Sequence, residues 1–275
     1  MLPVIANVKI LIPNVLTVIA KECRTRIVSP YVQWAVWVYL AFGCRMSGTT
    51  IAIVVSPDTI VLAGDSKGTL NAGGWTQTCK LGWMNNCAFA LVGLQTHTPT
   101  GFQVMPIAEN ACSSHGALSA KVALFYRSVR GPLLIALKDS RLNDRRTYDA
   151  WYNEKLVIQM AFAGFDGTTP HVIIEGIEEH AGSLKETVTE VPAGALQYAV
   201  IGQKAALKKL VASNPAWWAG LTPVAIGKTI VQSEIDGEPE QVGGPISVLR
   251  IDKLGVHWVE RGVCLSTASM NGAHP

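Results

Sequence analysis

The sequence predicts an α+β protein, and three observations carry that prediction. Two short β-branched and apolar runs, residues 50–55 and 59–63, flank the turn residues Ser56-Pro57-Asp58. This is the pattern of a tight antiparallel hairpin, with proline fixing φ. Further on, apolar residues recur at helical spacing through Leu118, Val122, Phe125 and Val129, with Lys121, Arg127 and Arg130 facing away. A second group of apolar runs opens at Leu156 with L-V-I-Q-M-A-F-A-G-F-D-G. Of 275 residues, 49% are apolar and 16% charged, a balance that buries a large core and excludes a disordered chain.

The composition narrows the partners. Formal net charge is only +3 and no dense Lys/Arg tract occurs, so nucleic acid is not an expected partner. Six cysteines (Cys23, Cys44, Cys79, Cys87, Cys112 and Cys264) stand without a C-x-x-C pair or a histidine at zinc spacing. They are expected to be reduced, buried thiols, with no metal and no cofactor. The six histidines show no ligand motif and are expected at the surface or in packing.

The elements follow in order. Residues 1–45 hold two apolar runs, 4–20 and 32–44, around the basic residues Lys21, Arg24 and Arg26. Neither run has the 18 or so uninterrupted apolar residues of a spanning helix. Three expectations compete: a cleaved pro-segment, a membrane-targeting segment resembling a signal h-region, and an extension upstream of a start at Met46. The last is favoured, since Met46-Ser47-Gly48 then leaves a very short leader. A membrane is expected as a partner only if residues 1–45 are a true targeting segment. After the hairpin, the Gly-, Thr- and Asn-rich residues 68–78 predict a mobile loop or irregular edge hairpin. A short strand over 88–92 ends at Gly93. Helices are expected over 101–114 and 117–130, with Gly131-Pro132 breaking the pattern and another helical element within 133–152. Strands are expected from 156 and over 171–176, with Asp166 as a turn residue between them. Further strands are expected over 187–191 and 198–202. A helix over 204–213 follows, then one from Thr222-Pro223, as N-cap and first residue, to about Ser233. A strand over 246–251 closes the order.

The chemistry gathers at the ends of the first hairpin. Its antiparallel pairing brings Thr49 beside Gly64 and Asp65. A threonine hydroxyl is a weak nucleophile without a base, and no histidine lies nearby. If the Gly48–Thr49 bond were cut, the freed α-amine, with a reference pKa of about 7.7 to 8.0, would sit within reach of its own hydroxyl. Asp65 would orient the site, and Lys80 would add a positive charge and carry protons.

Thr49-Thr50-Ile51, then Val61-Leu62-Ala63-Gly64-Asp65-Ser66, then Lys80 resemble the start of a mature proteasome β-type or HslV-type subunit, of the N-terminal-nucleophile (Ntn) hydrolase family. The resemblance implies a four-layer αββα sandwich of two packed antiparallel sheets. It divides the chain into a leader, pro-segment or mis-called extension over 1–48, an Ntn-hydrolase domain over 49–262, and a C-terminal tail over 263–275. It implies a threonine-type peptide or amide hydrolase with Thr49 as nucleophile, Asp65 and Lys80 beside it, and Gly93 as oxyanion donor. Asp236 is the best candidate for the supporting acid, although it stands three residues early. A cytoplasmic homo-oligomeric ring, a peptide or amide substrate and a possible ATP-dependent unfoldase partner are further implications. The chain departs from the family at Gln203 and Val242, where the family has serines. A catalytically silent ring subunit and a non-peptide Ntn amidase therefore stand as alternatives. A membrane-anchored binding protein using residues 1–45 is another, in which Thr49 never becomes an N-terminus.

Overall fold

The computed structural model describes residues 48–69 and 74–264. Residues 1–47, on which the leader, signal and anchor expectations fall, lie outside them, as do 265–275 of the expected tail. The chain is α+β with antiparallel sheets throughout the described residues.

The opening hairpin pairs β1 (Thr50–Ser56) with β2 (Thr59–Gly64) around Pro57-Asp58, with Ile51 opposite Gly64. A two-stranded ribbon follows, β3 (Lys67–Thr69) with β4 (Trp75–Gln77), where the sequence predicted a loop or edge hairpin. Its tip, 70–73, is outside the described residues. β5 (Leu81–Met84) and β6 (Cys87–Gly93) form the next hairpin. The short β7 (Thr96–His97) and β8 (Phe102–Gln103) lead into helix α1 (Val104–Ser113). Helices α2 (Leu118–Asn143) and α3 (Arg145–Trp151) come next. The second strand group is β9 (Leu156–Asp166), β10 (Thr169–His180), β11 (Ser183–Val191) and β12 (Gln197–Gly202). Helices α4 (Ala205–Ser213) and α5 (Pro223–Gly237) precede the closing strands β13 (Ser247–Asp252) and β14 (Gly255–Glu260).

Two five-stranded sheets result. One has the order β12-β1-β2-β13-β14, the other β11-β10-β9-β6-β5. Helix α5 packs on β1, β2 and β13 of the first; α1 and α2 pack on β5, β6, β9 and β10 of the second. Strands of the two sheets also touch, β1 and β2 against β6, and β12 against β9. β1 and β2 are thus covered on both faces, which explains why they read as continuous apolar runs rather than as alternation. The close approach of α5 depends on Gly227: a Cβ there would stand 3.2 Å from Ala63 Cβ and 3.5 Å from Val61 Cγ1.

Two expectations are overturned here. Gly131-Pro132 does not end a helix; α2 runs through it. The proline removes one backbone donor and crowds the previous turn, a cost of about 3 kcal/mol in a helix interior. Yet the apolar stripe continues unbroken through Val129, Leu133, Ala136 and Leu137, all buried in the core against the second sheet. Phe125 meets Phe162 of β9 with ring centroids 5.3 Å apart. The packing of this stripe outweighs the break. The cysteines are not all reduced thiols either: Cys79 is disulfide-bonded to Cys264, and Cys87 to Cys112. The second bridge ties β6 to α1, with Cα atoms 5.3 Å apart. Partners 185 and 25 residues apart in sequence leave no spacing signature. Each bridge is of the kind that adds about 2–4 kcal/mol to stability.

Glu175 lies at the centre of β10, fully buried, on the helix-facing side shared with Ile173 and Ile177. Neither carboxyl oxygen has a hydrogen-bond partner. Burial, with the Glu186 charge adding to it, pushes its pKa up to about 8. The acid is therefore neutral in the folded chain below that value but ionised above about 4.3 once unfolded. Its contribution is fully present below the unfolded pKa and is lost as pH rises through about 8, with a slope of at most about 1.4 kcal/mol per pH unit. We predict that Glu175→Gln flattens this fall in urea-unfolding free energy between about pH 5 and 8; an unchanged slope would exclude Glu175 as its source.

Candidate active site

A polar cluster forms where the end of β2, the start of β5 and the segments before β1 and β13 come together. β2 ends at Gly64 and delivers Asp65, 1% exposed, into the space between the sheets. Lys80, also 1% exposed, immediately precedes β5, and its carbonyl accepts from the Leu91 N–H of β6 at 2.9 Å. The two side chains pair, Lys80 Nζ donating to Asp65 Oδ1 at 2.9 Å and to Oδ2 at 3.0 Å. Thr49, 6% exposed, completes the cluster: Lys80 Nζ donates to Thr49 Oγ1 at 2.7 Å. Lys80 also donates to the Lys67 carbonyl, so each of its three protons has an acceptor.

The Asp65 carboxylate is an acceptor hub. Besides Lys80 it takes the N–H of Thr50 at 2.9 Å, of Lys67 at 3.1 Å and of Gly243 at 3.3 Å. Burial pushes the Lys80 ammonium below its usual range, and the Asp65 charge pulls it partly back. That environment suits a group exchanging a proton with the hydroxyl beside it.

Thr49 and Thr50 diverge as neighbours in an extended chain must. The Thr50 hydroxyl donates to the Gln203 carbonyl at 3.0 Å, away from Lys80. The Thr49 hydroxyl donates to the Gly48 carbonyl at 2.7 Å, so the oxygen of the side chain lies against the peptide bond that precedes it. Gly48 has φ +78°, in the left-handed region, and a Cβ there would stand 2.9 Å from Thr69 Oγ1 and 3.1 Å from the Gln241 carbonyl oxygen. Only glycine enters this corner without displacing its neighbours. The Thr49 carbonyl is fixed from the other side by the Gln203 N–H at 2.7 Å.

The remaining expected residues are not brought into the cluster. Gly93 stands exposed at the end of β6 with φ +105°. Among the described residues, no hydrogen bond joins it to Thr49, Asp65 or Lys80. Asp236 lies on the exposed face of α5 and accepts from Gln232 Nε2 at 2.8 Å. The helix extends to Gly237, past the expected end near Ser233, and carries Asp236 into solvent. Three groups beside the cluster were missed: the Gly243 N–H, the Lys67 carbonyl and Gln241. Backbone groups leave no residue-type signal.

Two other features compete less well. His97 and Ser140 form a hydrogen bond of 3.1 Å, with Asp139 3.7 Å from the same ring nitrogen. But Ser140 is 2% exposed, and the other His97 nitrogen is engaged by Thr100 at 3.0 Å, so the group pins β7 to α2. A surface cleft of about 540 Å3, lined by Phe102, Pro106, Ile107, Pro132 and Ile135 among others, holds no ionisable group.

No protein-family model matches this chain, and no curated protein matches it.

Removing one partner of a buried ion pair strands the other charge, at a typical cost of 3–5 kcal/mol. Lys80→Met is expected to lower unfolding free energy by about that much, against less than about 0.5 kcal/mol for a solvated lysine. Adding Asp65→Asn to Lys80→Met should recover part of the loss in guanidinium unfolding, since no uncompensated charge remains.

Proposed function

We propose that this chain is a threonine-nucleophile amide or peptide hydrolase of the N-terminal-nucleophile class, resembling proteasome β-type and HslV-type subunits, and that it matures by cutting Gly48–Thr49. The single observation that carries the reading is the buried contact of Lys80 Nζ with both Thr49 Oγ1 (2.7 Å) and Asp65 (2.9 Å). Two further features support it: helices on the outer face of each of two touching antiparallel sheets are compatible with a four-layer αββα sandwich, and Gly48 allows the bend before Thr49.

Maturation begins with Thr49 Oγ attacking the Gly48 carbonyl carbon; the neutral form of Lys80, which burial favours, takes up the hydroxyl proton and passes it to the departing nitrogen. The Gly48–Thr49 C–N bond breaks, the amine leaves with a proton, and an ester joins Gly48 to Thr49 Oγ. Water hydrolyses that ester, leaving Gly48 as a carboxylate and restoring the Thr49 hydroxyl beside the α-amine already released. Removal of Gly48 and what precedes it also uncovers a side chain that is 6% exposed in the uncut chain. In the mature site the amine accepts the Thr49 hydroxyl proton, Oγ attacks a substrate amide carbonyl, and the leaving amine departs protonated. Water then releases the acyl group. Asp65 keeps Lys80 in place, and Lys80, a positive charge near the amine, keeps that amine unprotonated.

A catalytically silent relative is the second reading. It is favoured by the exposed position of Asp236 and by Val242, an aliphatic side chain where the resembling family has a hydroxyl. A ring assembly and an unfoldase partner rest on the resemblance alone. So does a cytoplasmic location, and the two disulfides weigh against a reducing compartment. Among the described residues, no helix is long and apolar enough to cross a membrane.

Intact-mass analysis and N-terminal sequencing decide between these readings. We expect a chain beginning at Thr49, and we expect Thr49→Ala to remain uncut and to lose amide hydrolysis by at least about 100-fold. Thr50→Ala should still cut, because its hydroxyl serves Gln203 and not Lys80. A wild-type chain that retains Gly48 would favour the silent relative.

A further inference from the structure

Lys80 is the last residue of a short stretch, 78–80, that lies between β4 and β5 and belongs to neither strand. Its position therefore depends on what grips the chain beside it. At one end of the stretch the Thr78 N–H donates to the Ser66 carbonyl at 2.8 Å, and the Thr78 hydroxyl to Gln95 Oε1 at 2.9 Å. Directly before the lysine comes Cys79, bridged to Cys264. Cys264 is seated on the first sheet. Its N–H donates to the Arg261 carbonyl at 2.8 Å, the same carbonyl accepts the Ser247 hydroxyl at 2.8 Å, and Cys264 Sγ stands 3.4 Å from Ser247 Oγ. Ser247 opens β13, and its partner in β2 is Gly64, directly before Asp65. A covalent tie, Cys79–Cys264, and an ionic tie, Lys80–Asp65, thus connect the same two sheets at the same point.

The two disulfides differ in access. Cys87 and Cys112 are 1% and 0% exposed within the core, whereas Cys79 is half-buried and only its partner Cys264 is buried. Resting on the hydrolase reading above, we propose that Cys79–Cys264 is a redox switch for the Thr49 site: oxidised, it holds Lys80 against Thr49, and reduced by a dithiol it releases the stretch that carries Lys80 and slows hydrolysis. One thiolate of the dithiol attacks Cys79 Sγ, the S–S bond breaks, and Cys264 leaves as the thiolate. The second thiolate then closes on the reductant's own sulfur in the mixed disulfide and releases Cys79. Two electrons pass to the bridge, the dithiol becomes a cyclic disulfide, and its two protons end on the cysteines. Lys80 keeps its attraction to Asp65, but 78–80 are no longer fixed relative to β13, and a misplacement of about 1 Å is enough to cost about 100-fold in rate. A lysine farther from the Thr49 α-amine also depresses that amine's pKa less, so more of the base stays protonated at neutral pH. Cys79 and Cys264 are thus positioning residues, acting through Lys80 and not on the substrate.

The test uses the full-length chain, allowed to mature in its oxidised form, with dithiothreitol as reductant and a short peptidyl aminomethylcoumarin amide as probe. Native-state reduction, followed by iodoacetamide and peptide mass mapping, is expected to label Cys79 and Cys264 and to leave Cys87 and Cys112 bridged. In that state kcat should fall by about tenfold or more with KM within about twofold, as for a change felt only in the reacting step. The acidic limb of the pH–kcat/KM profile should shift to higher pH, a readout that a merely structural brace would not move. Reoxidation should restore both. The double variant Cys79→Ser with Cys264→Ser should show the lowered kcat from the outset and no response to dithiothreitol; if it fails to fold, the wild-type titration decides alone. Unchanged kcat or an unshifted limb in wild type labelled at Cys79 and Cys264 overturns the proposal while leaving the hydrolase reading intact. So does a bridge that opens only when all four cysteines are labelled, or a loss that reoxidation does not reverse. An oxidised wild-type chain that neither cuts nor hydrolyses the probe overturns the hydrolase reading and this proposal together.

Discussion

The buried pair of Lys80 and Asp65 is the constraint on which the rest of this structure depends. Taking two charges out of water costs several kcal/mol per ion, and attraction between them repays that only when the remaining lone pairs and protons are satisfied. Here they are: three backbone N–H groups converge on Asp65, and the three Lys80 protons go to Asp65, Thr49 and the Lys67 carbonyl. Because Asp65 directly follows a strand of one sheet and Lys80 precedes a strand of the other, the pair also fixes where the two sheets meet. Purely structural pairing at such a place is satisfied more cheaply by apolar residues of similar volume. That the chain retains two ions and a hydroxyl in contact is what turns attention to chemistry.

The cluster is built from backbone groups as much as from side chains. Gly48 is held in the left-handed region by a corner that admits no Cβ, and Gly202 lies so close to the Thr49 carbonyl that a Cβ there would stand 2.1 Å from the oxygen. Gly243 supplies an N–H to Asp65 from the loop before β13. These contacts confine the Thr49 backbone from both sides while its hydroxyl faces Lys80. Preorganisation of this kind reduces the entropy lost in reaching a reactive geometry, and it is the physical content of the hydrolase proposal. Cys79 sits next to Lys80 in sequence and is bridged to Cys264, so the start of β5 is tied covalently to the end of the described chain.

Much of this was legible in the sequence, and the reasons differ by element. The hairpin of β1 and β2, the N-cap Thr222 with Pro223, and the apolar stripe of α2 rest on local rules: turn chemistry, capping and periodicity. The Thr222 hydroxyl accepts from the Ala225 N–H at 3.2 Å, as its position before a proline implied. The meeting of Thr49 with Asp65 also followed locally, from the antiparallel pairing of one short hairpin. Lys80 was named from a resemblance in spacing, and no local rule alone places a lysine under a second sheet.

By itself, then, the sequence determined the α+β class, the hairpin that carries Thr49 and Asp65, and the helical stripes that cover the sheets, because each depends on residues within a turn or two of one another. Tertiary structure alone decided the rest. It carried α2 through Pro132, since packing of a continuous stripe outweighs one lost donor. It joined Cys79 to Cys264 and Cys87 to Cys112, and it brought Gln203 to Gln241, because such contacts depend on how distant strands and turns stack and leave no trace in spacing. It also turned Asp236 out to solvent, since helix α5 continues through it to Gly237 and places it on the exposed face.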